Sequence, residues 1–218
     1  MAGSAFLSPL PEMPVTPAGD DGRMPTMTGV RAVWLDVPQS VLDERARLGI
    51  DVFDECWNGE IHMVPPPSED HQAIGGRLFA FLLDVCEPQG LLVRYETGVW
   101  AAEKDWRVPD LVVFPESSRS ERGVDGPAQL VVEIRSPNDE TDAKLAWYIT
   151  HGAAEILVID PPTRTAQRYR PGDDGLPALV ADTATSSVEL EIGVELRTAL
   201  GDDGPTLLAT SAERTVSL

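Results

Sequence analysis

At 218 residues, with 42% apolar and 24% charged composition, the chain has the make-up of one globular domain with a real core, which excludes a wholly disordered polymer. A formal net charge of -19, from 17 basic and 36 acidic residues, disfavours non-specific adhesion to nucleic acid, because phosphate binding is normally driven by Lys and Arg. No apolar run approaches the roughly 18 residues needed to cross a bilayer, and the N-terminus lacks a basic region followed by an apolar stretch, so neither a membrane span nor secretion is expected. Cys56 and Cys86 have no partners at metal-ligand spacing and read as buried, reduced thiols of a cytoplasmic protein.

Residues 1–30, rich in Pro, Gly, Ser, Thr and Met, read as a disordered leader. Residues 31–200 carry the periodic patterns of a folded domain, and 201–218 read as a C-terminal tail. Val41, Leu42, Arg45 and Leu48 have helical spacing after Pro38. Two strand-like runs, Val52 to Trp57 and Glu60 to Val64, flank Asn58-Gly59, the strongest short hairpin signal. Pro65-Pro66-Pro67 ends the second run. Ser68 is a good N-cap for a helix whose apolar stripe is Ile74, Leu78, Phe81, Leu82 and Val85, with Gly75-Gly76 allowing close packing. Strands follow at about Leu91–Glu96, Gly98–Ala102 and Leu111–Phe114. Gln129 to Arg135 is a fourth, apolar on both faces except at Glu133, hence central. Ser136-Pro137 stops it, Asn138 caps a helix, and Gly152 ends that helix. Ile156 to Ile159 is a buried strand, Thr165 to Arg170 the next, and two short strands run to about Leu196.

Apolar strands do not normally carry carboxylates, because an unpaired buried charge is costly. Asp110 opens one strand, Glu133 sits near the end of another, and Lys144 follows on a helix. That pattern predicts a site that binds a cation and does hydrolytic chemistry. On a helix, Lys144, Tyr148 and His151 share a face. Each position also has a bland reading. Asp110 after Val108-Pro109 fits a turn cap, and Lys144 fits a solvated i,i+4 partner of Glu140. Glu60 fits a residue beside a hairpin turn, and His71 a surface residue of a first helical turn. Arg135 fits either a phosphate contact or a structural ion pair. Trp34, Trp57, Trp100, Trp106 and Trp147 read as core or interface residues rather than base-stacking platforms.

The order of these pieces resembles the Uma-two family of nucleases, within the PD-(D/E)XK restriction-endonuclease-like superfamily. The resemblance covers roughly residues 36–200. It is carried by Glu55-Cys56-Trp57-Asn58-Gly59-Glu60-Ile61, by Pro65-Pro66-Pro67-Ser68 with His71-Gln72, and by Arg107-Val108-Pro109-Asp110-Leu111. Leu130-Val131-Val132-Glu133-Ile134 with Ser136-Pro137, the Lys144 and Tyr148 pair, and Leu157-Val158-Ile159-Asp160-Pro161 complete it. The resemblance implies an α/β fold with a restriction-endonuclease-like mixed β-sheet flanked by helices. It implies Asp110 and Glu133 as the metal-binding carboxylates, joined by the carbonyl of Ile134, with Mg²⁺ (or Mn²⁺) as the cofactor. Lys144 takes the place of the family's lysine, moved onto the following helix, and Arg135 stands at the ordinary lysine position. Glu60 and His71 match family positions at the edge of the same site. The implied activity is endonucleolytic hydrolysis of phosphodiester bonds, with nucleic acid, foremost DNA, as partner. The alternative is a catalytically idle or weak member that acts as a binding or regulatory module. A homodimer is expected, with the apolar segment Val188 to Leu196 at its interface. A basic rim of Arg94, Lys104, Arg107, Arg119, Arg122 or Arg135 near the carboxylates would favour the enzyme.

Overall fold

The structure, a computed structural model, describes residues 33–34 and 38–218 apart from 50, 52, 65, 138, 139, 203 and 213. The expected leader and the expected Asn138 cap lie outside the described residues. The described residues begin with strand β1 (Val33–Trp34) and helix α1 (Gln39–Leu48), which ends on Gly49 in the left-handed region. β2 (Glu55–Trp57) and β3 (Glu60–His62) form the hairpin that Asn58-Gly59 predicts. Both turn residues have positive φ, 51° and 96°, as a two-residue turn matched to strand twist requires. α2 (Glu69–Cys86) starts where the Ser68 hydroxyl accepts a hydrogen bond from the His71 amide.

β4 (Leu91–Tyr95), β5 (Val99–Ala102), β6 (Asp105–Arg107), β7 (Leu111–Pro115), β8 (Arg119–Ser120), β9 (Gly123–Val124) and β10 (Leu130–Ile134) follow. α3 (Thr141–Thr150) leads into β11 (Ile156–Asp160), β12 (Thr165–Pro171) and β13 (Pro177–Asp182). β14 (Val188–Leu190), β15 (Val194–Gly201), β16 (Gly204–Thr210) and β17 (Thr215–Ser217) end the chain. The central sheet has the order β13-β12-β11-β10-β7-β4. Only β10 and β11 run parallel in it, joined by α3 as the crossover helix; the sheet is therefore mixed. A second sheet gathers β1-β3-β2-β6-β5-β9-β8, and a third runs β14-β15-β16-β17.

The central strand divides its side chains by the period of two. Leu130, Val132 and Ile134 face α2, packing with Ile74, Leu78, Phe81 and Leu82. Burial of each such side chain stabilises the fold by about 1.5–3 kcal/mol relative to exposure. Val131 faces α3, with Leu145, Tyr148 and Ile149, and the alternation turns Glu133 the same way. Gly75 is required by close approach: a Cβ there would lie 2.7 Å from the Tyr95 hydroxyl and 3.3 Å from Ile134 Cδ1. Gly76 faces open space, so only the first of the pair serves packing.

Three expectations change. β6 is a strand although Asp105 and Arg107 are two of its three residues; pairing with β2 and β5 decides its conformation. Residues 201–218 are not a tail, because β16 and β17 pair onto β15 and bury Leu207, Ala209 and Leu218. Their alternation is short and interrupted, which hides it in the sequence. The segment Val188 to Leu196 is not free for an interface. Val188, Leu190, Ile192, Val194 and Leu196 are buried in the same core as α2. That C-terminal sheet is tied down by Glu155, which is 0% exposed. One of its oxygens accepts from Arg168 Nε at 2.7 Å, the other from the Glu191 amide at 3.0 Å.

Candidate active site

Asp110 precedes β7 and extends its ladder with a side chain. The last paired residues are Val132 and Leu111. One step beyond, Asp110 Oδ2 accepts the Ile134 amide at 2.6 Å in place of a backbone carbonyl. Its other oxygen lies 3.2 Å from His71 Nε2, and the Ile134 backbone also hydrogen-bonds that imidazole. Burial pulls the His71 pKa down, but the bond to Asp110, the Asp110 charge, the Ile134 backbone and the Glu133 charge together outweigh it and raise it. His71 Nδ1 is buried with no hydrogen-bond partner among the described residues. Beside Asp110, Glu96 donates its amide to the Asp110 carbonyl at 2.9 Å and holds a positive φ of 45°, rare for a non-glycine residue. Gln72 Nε2 steadies the Glu96 carboxylate at 3.1 Å.

Glu133 is 3% exposed and points at α3. Tyr148 donates its hydroxyl to Glu133 Oε1 at 2.6 Å, and Lys144 Nζ donates to the same carboxylate at 2.8 Å. Lys144 does not pair with Glu140, which reaches His62 Nδ1 at 2.8 Å. Its second partner is Glu55 on β2, at 3.2 Å. Glu55 accepts in turn from the Val108 amide at 3.0 Å and from Trp57 Nε1 at 2.8 Å. The lysine therefore bridges two sheets from a third element. Burial pushes the Glu133 carboxyl up to about 8, against the pull of Lys144 and with help from the neighbouring charges of Asp110 and Glu55. Burial pulls the Lys144 ammonium down, but the carboxylates of Glu133 and Glu55 outweigh it and keep it charged. Burial also lifts the Tyr148 phenol well above its ordinary value, so it remains a donor.

Asp110, Glu133, Lys144, His71 and Ile134 thus converge at adjacent strand ends and the two helices that flank them. Glu60 does not join them; it is exposed at the start of β3, opposite Trp57. The carboxylate that enters from this hairpin is Glu55, which sequence reasoning did not single out. Its signal was the one used for Asp110, a carboxylate directly before apolar strand residues. His151 contacts Trp147 rather than Glu133, its Nδ1 2.8 Å from the Trp147 carbonyl.

Arg135 forms a fork to Asp142, at 3.0 and 2.6 Å. Arg119 pairs with Glu116 and Arg122 with Asp125, while Arg107 is buried. Among the described residues, Arg94 and Lys104 are the members of the expected basic rim without a carboxylate partner in hydrogen-bonding or ion-pair range.

A hard divalent cation fits the donors present, since Asp110, Glu133 and the Ile134 carbonyl all offer oxygen. Among the described residues, no three His, Cys, Asp or Glu side chains form a ready-made cage. An ion here would take two carboxylates and a carbonyl and keep several waters, a habit of Mg²⁺.

A mixed sheet flanked by α2 and α3 thus carries an aspartate, a glutamate and a helix-borne lysine near its strand ends. A family model described as "Putative restriction endonuclease", Uma2, matches residues 51–200, and the chain belongs to that family. Among solved structures, it is similar to a chain titled "putative nuclease belonging to DUF820" from Anabaena variabilis ATCC 29413. The two are 25% identical, with 58% of this chain and 75% of that one covered and a TM-score of 0.49. No curated protein matches the chain. Among the described residues, no helix is long and apolar enough to cross a membrane.

Proposed function

We propose that this protein is a Mg²⁺- or Mn²⁺-dependent endonuclease that hydrolyses phosphodiester bonds of DNA. The observation that carries the reading is the proximity of Asp110, just before β7, to Glu133 on the antiparallel neighbour β10, with Lys144 held 2.8 Å from Glu133. A divalent ion held by Asp110, Glu133 and the Ile134 carbonyl would supply charge neutralisation and a more acidic water.

The chain's own groups do the rest. Asp110 is oriented by the Ile134 amide and His71, so its carboxylate is fixed before substrate arrives. Tyr148 and Lys144 both donate to Glu133 and set its direction. Lys144 stays protonated between two carboxylates, so it serves as a positive donor toward the charge that develops on phosphate rather than as a base. His71 and Glu55 complete the site; Glu60 has no part in it. Cleavage of both strands favours two copies acting together, so the working form is a homodimer whose interface lies outside the buried Val188–Leu196 segment; a monomer mass by light scattering at micromolar concentration would count against it. Both cysteines are free and buried, in keeping with a reducing cytoplasm.

The second reading is a binding or regulatory module. It is favoured by the charge of -19 and by the carboxylates that neutralise Arg119, Arg122 and Arg135. A nuclease assay with Mg²⁺ or Mn²⁺ on single- and double-stranded DNA and on RNA separates the two. Wild-type protein should cleave DNA and Glu133→Ala should not. Equal cleavage by both, or none by wild type at any metal concentration, would remove the enzyme reading.

A further inference from the structure

Four rings and one guanidinium form a column beside the carboxylate cluster. His62 stacks on Trp57 with centroids 4.0 Å apart and planes 14° from parallel. Arg107 lies against two indoles, its guanidinium carbon 4.4 Å from the Trp57 ring and 4.5 Å from the Trp147 ring. Trp147 in turn meets His151 at 4.3 Å. Arg107 is 3% exposed and its Nε is buried without a partner among the described residues. Its Nη1 donates to the Cys56 carbonyl at 2.8 Å, to Asp105 Oδ1 at 2.9 Å and to the Trp106 carbonyl at 3.0 Å. Burying a guanidinium is costly unless its faces and its hydrogens find partners, and here two indoles supply the faces.

The column connects the parts that hold Lys144. Trp57 donates its indole N–H to Glu55, the carboxylate that Lys144 touches from β2. Trp147 stands three residues beyond Lys144 on α3 and one before Tyr148, and its indole N–H donates to Asp105 at 2.9 Å. His62 bonds Glu140, immediately before α3. The helix is thereby tied to the β2–β3–β6 layer at its start and at its middle. Lys144 can reach Glu55 on that layer and Glu133 on the central sheet together only while the helix keeps this distance from both.

We propose that Arg107 is a positioning residue: stacked between Trp57 and Trp147, it sets the distance of α3 from β2 and so holds Lys144 between Glu55 and Glu133. The proposal rests on Lys144 being the cation of the site, but its test reads the position of Lys144 and not turnover. A role as mere core filling would cost stability without releasing this lysine selectively.

The chain has two lysines, Lys104 and Lys144, and Lys104 is exposed. Reductive methylation with ¹³C-formaldehyde on the full chain, read by peptide mass and by NMR, therefore reports on Lys144 with an internal reference. In wild type, Lys104 should label readily and Lys144 at least about tenfold more slowly, as a buried ion-paired ammonium does. Arg107→Met should bring Lys144 labelling close to that of Lys104. Arg107→Gln, which keeps a flat group and a donor, should fall between and guards against a misfolded Met variant. Arg168→Gln, which removes a buried guanidinium from the distant Glu155 pair, should lower the melting temperature while leaving Lys144 protected. Wild-type protection of Lys144 in folded Arg107→Met and Arg107→Gln would overturn the proposal, and so would equal release in Arg168→Gln. Absence of nuclease activity in wild type would remove the enzymatic reading and leave the labelling pattern to stand or fall alone.

Discussion

Glu133 and Glu155 are both carboxylates sunk into strand layers, 3% and 0% exposed, and burial raises the pKa of each. Their surroundings differ. Glu155 accepts from Arg168 and from the Glu191 amide, and the neighbouring Glu191 carboxylate has Arg170 at 2.6 Å, so two guanidiniums match two carboxylates. Glu133 shares its one ammonium with Glu55 and has Asp110 as a further like-charged neighbour. One cluster is closed and tethers the C-terminal sheet; the other holds surplus negative charge at the strand ends. A buried carboxylate by itself is therefore no mark of function. Unbalanced charge of one sign is, because it is the state that a cation relieves.

The largest effect should come from Lys144→Ala, which strips the site of its ammonium. Turnover should fall roughly a hundredfold or more, the scale of a lost transition-state donor. Stability should also fall, by about 3–5 kcal/mol, because two carboxylates are left buried without their cation. Lys144→Arg should not restore turnover, since a planar guanidinium cannot reproduce the point contact. Turnover and denaturant unfolding measured on one preparation check both parts, and intact turnover would make the two clusters alike.

Arg168→Ala should cost about as much stability, 3–5 kcal/mol, by orphaning Glu155. It should leave hydrolysis and the response to metal unchanged, and a parallel loss of activity would mean that the two regions are coupled. Mn²⁺ or Mg²⁺ should raise the melting temperature with the logarithm of its concentration above the dissociation constant, stabilising the fold by about 2.7 kcal/mol at a hundred times that constant. That response should vanish in Asp110→Asn/Glu133→Gln and persist in Arg168→Ala. An undiminished response in the double variant would place the ions on the acidic surface instead.

The comparison also predicts a pH signature. Burial raises the Glu133 pKa, so through the window above the ordinary glutamate range the folded metal-free chain holds a proton there more tightly than the unfolded chain does. Stability must then fall as pH rises through that window. Glu133→Gln should flatten this slope more than Glu155→Gln does, and the metal response should strengthen toward pH 8 as the competing proton leaves. Melting curves at several pH values, with and without metal, test the sign. The smallest effect is reserved for Glu60→Gln, which should stay within about 0.5 kcal/mol of wild type and leave hydrolysis unchanged, as for an exposed side chain outside the cluster.

Much of this was legible from short stretches of sequence. Asn58-Gly59 can form its tight turn with local backbone alone, and Ser68 caps α2 three residues from its donor, His71. Glu133 stood out because it interrupts an apolar strand. Glu55 did not, since its burial depends on Lys144, 89 positions away, and on the Val108 amide. Glu60 looked equivalent in sequence because the hairpin brings it near Glu55, yet its side chain remains in solvent. The apolar run Val188 to Leu196 gave no sign of whether a second copy or the chain's own α2 would cover it.

The sequence by itself determined the local elements, the alternation that turns Glu133 toward α3, and the presence of two carboxylates and a lysine in restriction-endonuclease order. Those properties follow from backbone sterics and side-chain period, which act over a few residues. Only the tertiary structure decided that Lys144 bridges Glu55 and Glu133, that Arg107 is stacked between two indoles, and that the last strands close the core. Each of these joins residues far apart in the chain, and each is stable only because burial excludes the water that would otherwise take one partner's place.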